Sequence, residues 1–127
     1  MATPIVQFKH DSPVQFICSI VREVRVSVDP AATGKGKVRL FLTAPSCNFN
    51  NGSKEITQDF TALNAIDEIV VVFNVSINCS LPQIFNISLN AEAINSDGVS
   101  GSDKIAAKAN CQPAAIITTT TTVIIPT

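Results

Sequence analysis

The chain has no tryptophan and no tyrosine, a single histidine (His10) and only five glycines in 127 residues. Each shortage removes a class of function. Carbohydrate-binding β-proteins usually stack sugars on Trp or Tyr, and the seven phenylalanines here fall mostly on positions that alternate with polar residues and belong to a core. A nucleophile–base pair needs a base within hydrogen-bond reach, and the one histidine stands near the N-terminus. No glycine-rich phosphate loop occurs. Asp59, Asp67 and Glu68 read as loop charges rather than a catalytic carboxylate pair. Asp97 and Asp103 flank one loop and leave calcium-assisted sugar binding as the remaining ligand chemistry. The chain is therefore expected not to be an enzyme, with no catalytic, cofactor-binding or metal residues and no cofactor.

Charge is scarce too. Charged residues make up 15% of the chain, against about 25% in ordinary domains. The net charge is −1, and the nine Lys and Arg are scattered. Their one cluster, Lys35, Lys37 and Arg39, surrounds glycines in a turn, so no phosphate-tracking stripe exists and no nucleic-acid partner is expected. No apolar run reaches the ~18 residues of a spanning helix, so no membrane insertion is expected. The first twelve residues lack the basic start and apolar run of a secretory signal. Export is expected either after removal of a signal or without one, as in lysis during sporulation.

What is abundant is alternation. Hydrophobic residues reach 46%, and their period is close to two, the signature of strands with one buried face. Val14, Phe16, Cys18 and Ile20 share a parity. Val24, Val26 and Val28 alternate with Glu23, Arg25, Ser27 and Asp29. Val38, Leu40 and Leu42 follow the Gly34-Lys35-Gly36 turn, and residues 56–63 form a weaker strand after a polar loop at 46–54. The strongest run, 69–79, puts Ile69, Val71, Phe73, Val75, Ile77 and Cys79 on one face and Asn74, Ser76 and Asn78 on the other, and it is expected to be a central strand. Phe85, Ile87, Leu89, Ala91 and Ala93 precede an Asn95-Ser96-Asp97-Gly98 turn, and Ile105, Ala107, Ala109 and Cys111 complete the core set. Helical signal is thin: residues 62–68 have room for one turn, and 104–110 is alanine-rich. About seven core strands at this spacing predict an all-β fold, a single two-layer antiparallel β-sandwich, immunoglobulin-like or jelly-roll-like, with extended N- and C-terminal arms. The expected divisions are an N-terminal arm (1–13), a sandwich core (14–111) and a C-terminal Thr/Ile-rich strand or arm (112–127).

The C-terminal arm carries no charge after Lys108. Ile116 and Ile117 precede five threonines, and Val123, Ile124 and Ile125 follow. A β-branched, charge-free segment aggregates if left loose, so it is expected to pair as a strand, either on its own domain or on a neighbouring subunit. The cysteines are Cys18, Cys47, Cys79 and Cys111. None lies in a Cys-x-x-Cys pair, which weakens zinc-finger and thioredoxin-like readings. Disulfides are expected, in any of three connectivities, with buried free thiols as the alternative. If successive strands run antiparallel, all four cysteines fall toward one pole. Glycosylation sequons begin at Asn51, Asn74, Asn78 and Asn86, each placed in a loop or on an outward parity; because short motifs match by chance, a polar outer face rich in Asn and Ser is the better account of them.

Isolated cysteines, the short start Met1-Ala2-Thr3, alternating strands such as Val24-Arg25-Val26-Ser27-Val28 and an arm beside a sandwich together resemble the endospore-appendage and spore-coat fibre subunits of spore-forming bacteria. That resemblance implies a homopolymer in which an arm reaches into the neighbouring subunit and disulfides lock the contact, although residues 1–13 hold no cysteine. Phe85-Asn86-Ile87-Ser88-Leu89 leading to the 95–98 turn is similar to immunoglobulin-like modules of surface proteins. The expected function is that of a self-assembling structural subunit of an extracellular or spore-surface filament or coat. The alternative is a binding or adhesion module of a larger cell-surface protein, with the threonine-rich arm as linker.

Overall fold

Wherever β-branched and aromatic residues alternate with polar ones, the backbone is extended. The computed structural model describes residues 2–112; Met1 and residues 113–127 lie outside it. Among the described residues there is no helix, and the ten strands are β1 (Ile5–Phe8), β2 (Val14–Ile17), β3 (Arg22–Asp29), β4 (Gly34–Thr43), β5 (Cys47–Phe49), β6 (Glu55–Ala62), β7 (Ile69–Val75), β8 (Ile77–Cys79), β9 (Ile84–Ile94) and β10 (Ser100–Asn110). Three sheets result: β1-β3-β7, β2-β10-β9-β4-β6, and a ribbon of β5 and β8. All neighbours are antiparallel except β2 and β10, which run parallel.

The buried faces of all three sheets belong to one hydrophobic cluster. Val24, Val26 and Val28 come from β3, Val71, Phe73 and Val75 from β7, Val38, Leu40 and Leu42 from β4, and Ile87, Leu89, Ala91 and Ala93 from β9, with Phe49 and Ile77 from the ribbon. Asn74 and Asn78 are exposed, while Phe73, Val75 and Ile77 beside them are buried and Cys79 partly so, as a period of two requires.

Several elements differ from the sequence reading. The 69–79 run is broken at Ser76, which is itself buried, and β7 is an edge of its sheet; the central strand is β3. Alternation reports which face is covered, not how many neighbours a strand has. The break falls where the chain changes partner, from β3 beside β7 to β5 beside β8. The polar loop at 46–54 contains β5, and the alanine-rich stretch at 104–110 is part of β10, while 62–68 makes turns rather than a helix. Ile20 is exposed in the turn after β2.

The expected N-terminal arm contributes a strand. Residues 5–8 pair with β3, and Val6 and Phe8 join the core. The chain then passes the cis Ser12–Pro13 peptide and joins the five-stranded sheet as β2. Two contacts hold β1 against β10. The Phe8 amide donates to Asp103 Oδ2 (3.0 Å), and Gly101 leaves room for the Pro4 carbonyl, which a Cβ there would overlap. The expected C-terminal arm, with Ile116, Ile117, Val123, Ile124 and Ile125, lies outside the described residues.

Candidate functional site

Four strands deliver their ends to one pole. The parallel pairing of Ile17 with Asn110 brings the next residues of β2 and β10 side by side, and Cys18 and Cys111 are bonded there. Cys47 and Cys79 lie directly opposite each other on β5 and β8 and form the second disulfide. The sulfurs of Cys18, Cys79 and Cys111 all lie within 4.8 Å of one another, so the two bridges touch. One lies within the five-stranded sheet and the other within the ribbon, and the two sheets meet at this end through contact between the bridges.

Polar contacts fix the surrounding turns. Ser19 Oγ donates to Asn78 Oδ1 (2.7 Å) and the Ser19 amide to the Ile77 carbonyl (3.1 Å), which joins the β2–β3 turn to β8. The Lys54 ammonium donates to the carbonyls of Ala44 and Cys47. Apolar side chains remain outside. Ile17 and Ile84 flank Asn110 on the outer face and are 63% and 48% exposed, and Ile20, Val21 and Leu81 protrude from the two turns. Five of the nine large hydrophobic residues exposed among the described residues thus gather where residue 112 leaves β10. Exposed apolar side chains that cluster, rather than scatter, mark interaction surfaces.

The single histidine has a structural contact. β1 ends at Phe8, and the Lys9 amide still donates to the Arg25 carbonyl (3.0 Å). The Arg25 amide has no further β1 residue to meet and donates instead to His10 Nε2 (2.8 Å). His10 Nδ1 lies 3.4 Å from Arg22 Nη2. Burial, then the positive charges of Arg22 and Arg25, hold His10 below its ordinary pKa, with Asp11 opposing. The Arg22 guanidinium sits over the Phe16 ring at 5.9 Å and donates to the Gln15 carbonyl (3.0 Å). Nothing in the sequence pattern marks the His10 contacts, because they depend on where β1 stops.

The acidic candidates are dispersed. Asp59 is exposed on β6, Asp67 accepts from Asn64 Nδ2 (2.7 Å), and Glu68 accepts from Ser27 Oγ and pairs with Lys9 at 3.5 Å. The Ser27 hydrogen bond first, and then Lys9, lower the Glu68 pKa. Asp103 is committed to the Phe8 amide while Asp97 sits in the exposed turn, so the loop they flank does not converge two free carboxylates. In the basic cluster, Arg39 lies 3.9 Å from Glu55 and 4.0 Å from Glu92. All four sequon asparagines are exposed. Asn51 closes its own turn, accepting from the Ser53 amide (2.9 Å).

Neither a protein-family model nor a curated protein sequence matches the chain. The two disulfides point to an oxidising, non-cytoplasmic location.

Proposed function

We propose that the strands form one two-layer antiparallel sandwich, β1-β3-β7 continuing through β8 and β5 against β2-β10-β9-β4-β6, and that the protein is a self-assembling structural subunit. Its setting is an extracellular or spore-surface filament or coat, and its partner is another copy of itself. The observation that carries this reading is the cross-linked pole. Two touching disulfides lock an end that displays Ile17, Ile20, Val21, Leu81 and Ile84 and from which the uncharged residues 113–127 depart. A rigid apolar end followed by a β-branched, charge-free tail suits joining to a second subunit better than life as a separate surface. Strand or arm exchange would supply the join, as in the spore-appendage fibres the sequence resembles.

The test is the behaviour of the purified, oxidised chain in light scattering and negative-stain microscopy over a range of concentrations. Filaments or large regular assemblies are expected. A species of 13.5 kDa at every concentration would overturn the subunit reading and favour a module of a larger surface protein.

A further inference from the structure

Among the described residues, β7 has a neighbour on one side only, and the ladder shows which of its backbone groups are left over. In an antiparallel strand a residue sends its N–H and its C=O to the same side. Arg25 of β3 accepts from the Lys9 amide and donates to His10, so its groups face β1. Val24, Val26 and Val28 therefore face β7, and their partners Phe73, Val71 and Ile69 face back. The amides and carbonyls of Val70, Val72 and Asn74 turn the other way, toward the open side. The same parity continues below. The Ser76 carbonyl accepts from the Asn50 amide (3.0 Å) and the Ser80 amide donates to the Ser46 carbonyl (2.9 Å), both in the lane that β5 fills beside β8. At Asn50 the chain turns out of that lane through Gly52 (φ 79°). Above it three residues present six backbone groups to no described strand.

This edge also lacks the features that guard the others. Edge strands are normally blunted by charge, proline or short length. β6 carries Glu55 and Asp59. β1 and β2 are four residues each, follow Pro4 and Pro13, and are flanked by Lys9 and the Arg22 guanidinium. β7 reads Ile-Val-Val-Val-Phe-Asn-Val over seven residues, with no charge, proline or glycine, and Val70 is 46% exposed.

We infer that the lane beside Val70, Val72 and Asn74 is an acceptor site for an added strand, and that its occupant is the segment 116–125 of a second copy of this chain. This deepens the assembly reading and rests on it. The segment is ten residues long, uncharged, and β-branched throughout, which suits it to a seven-residue edge of the same character. The chain's own tail fits worse. It leaves at the disulfide pole and must skirt β5, which fills the same lane, before reaching Asn74. Passing β5, a three-residue strand with its flanking turns, uses up several extended residues at about 3.3–3.6 Å each. Residues spent on that passage come from the start of the tail and are lost to the lane. A second copy can lay the whole 116–125 run along β7.

The test compares the full chain with two variants under oxidising conditions. Val72→Pro removes an N–H that points only into the open lane and leaves the β3 ladder intact. Val70→Lys adds the kind of charge that guards natural edges. Light scattering measures mass, and hydrogen exchange measures protection of the Val70, Val72 and Asn74 amides. Both variants are expected to shift from assemblies to the 13.5 kDa monomer, with the wild-type melting transition retained, while the three amides are protected in wild-type assemblies. If Val72→Pro fails to fold, Val70→Lys and the wild-type exchange data decide. Variants that assemble as wild type does, or amides that exchange as fast in the assembly as in the dilute monomer, would overturn the β7 site and leave self-assembly standing. A wild-type chain that stays monomeric at all concentrations would overturn both.

Discussion

The two ends of the molecule are held by different chemistry. At one, disulfides join β2 to β10 and β5 to β8, and apolar side chains are left facing outward. At the other, the turns are tied by hydrogen bonds. The buried Asn95 side chain donates to the Pro30 carbonyl (3.0 Å) and accepts from the amides of Asp97 and Val99 (3.0 Å each), and the Ala31 amide donates to the Ala65 carbonyl (3.0 Å). Gly101 admits the Pro4 carbonyl there. The non-covalent end satisfies its polar groups through these hydrogen bonds, while Leu63 and Ile66 protrude from its β6–β7 turn. The covalent end is held by two disulfides and displays Ile17, Ile20, Val21, Leu81 and Ile84. The contrast predicts that stability is concentrated at the disulfide pole.

The largest effect should follow removal of a bridge. The bonds span sequence separations of 93 and 32 residues, for which the chain-entropy account gives about 4–5 and about 3–4 kcal/mol. The Cys18→Ala/Cys111→Ala pair should therefore lose more stability than Cys47→Ala/Cys79→Ala in denaturant titrations. Equal stability of either pair to wild type would show that the covalent end does not dominate.

At the opposite end, Gly101→Val should rank next. Its Cβ would meet the backbone of Pro4 rather than a movable side chain, and overpacking of this kind costs about 1–3 kcal/mol. The loss should appear as faster exchange of the β1 amides, because β1 is the element pushed away. Asn95→Ala should cost about 2 kcal/mol, since it leaves the Pro30 carbonyl and two turn amides without their partner in a buried site. A loss as large as that from removing a bridge would erase the contrast between the ends.

How far the sequence carries this picture depends on the kind of evidence each feature leaves. The parity of β3, β4, β7 and β9 is legible because each places three or more apolar residues on one face. β1 buries only Val6 and Phe8 and β5 only Cys47 and Phe49, too few to establish a period. Up-and-down counting places the cysteines toward one end, but their partners depend on the parallel β2–β10 pairing, which alternation does not encode. Asn95 is readable as a turn residue, yet its hold on Pro30 spans 65 residues and exists only in the fold. The open side of β7 is hidden for the same reason: a valine-rich run looks alike at the centre of a sheet and at its edge.

The smallest effect lies between the two ends, at His10. Its folded pKa is held below the ordinary 6.5 by burial, Arg22 and Arg25. The unfolded chain therefore takes up a proton first as the pH falls, and stability decreases with it. The contribution is complete above about 6.5 and is lost between that value and the lower folded pKa. Glu68 acts in a separate window. Its folded pKa is lowered from 4.5, so its contribution is present above that value and lost as the pH falls through the folded pKa. A melting series from pH 7.5 to 5 should thus report His10 without Glu68. His10→Gln keeps an acceptor for the Arg25 amide but cannot titrate, so it should flatten that part of the curve while leaving the decline below pH 4.5. Retention of the full slope by His10→Gln would move the titration elsewhere and leave His10 only its hydrogen bond to Arg25.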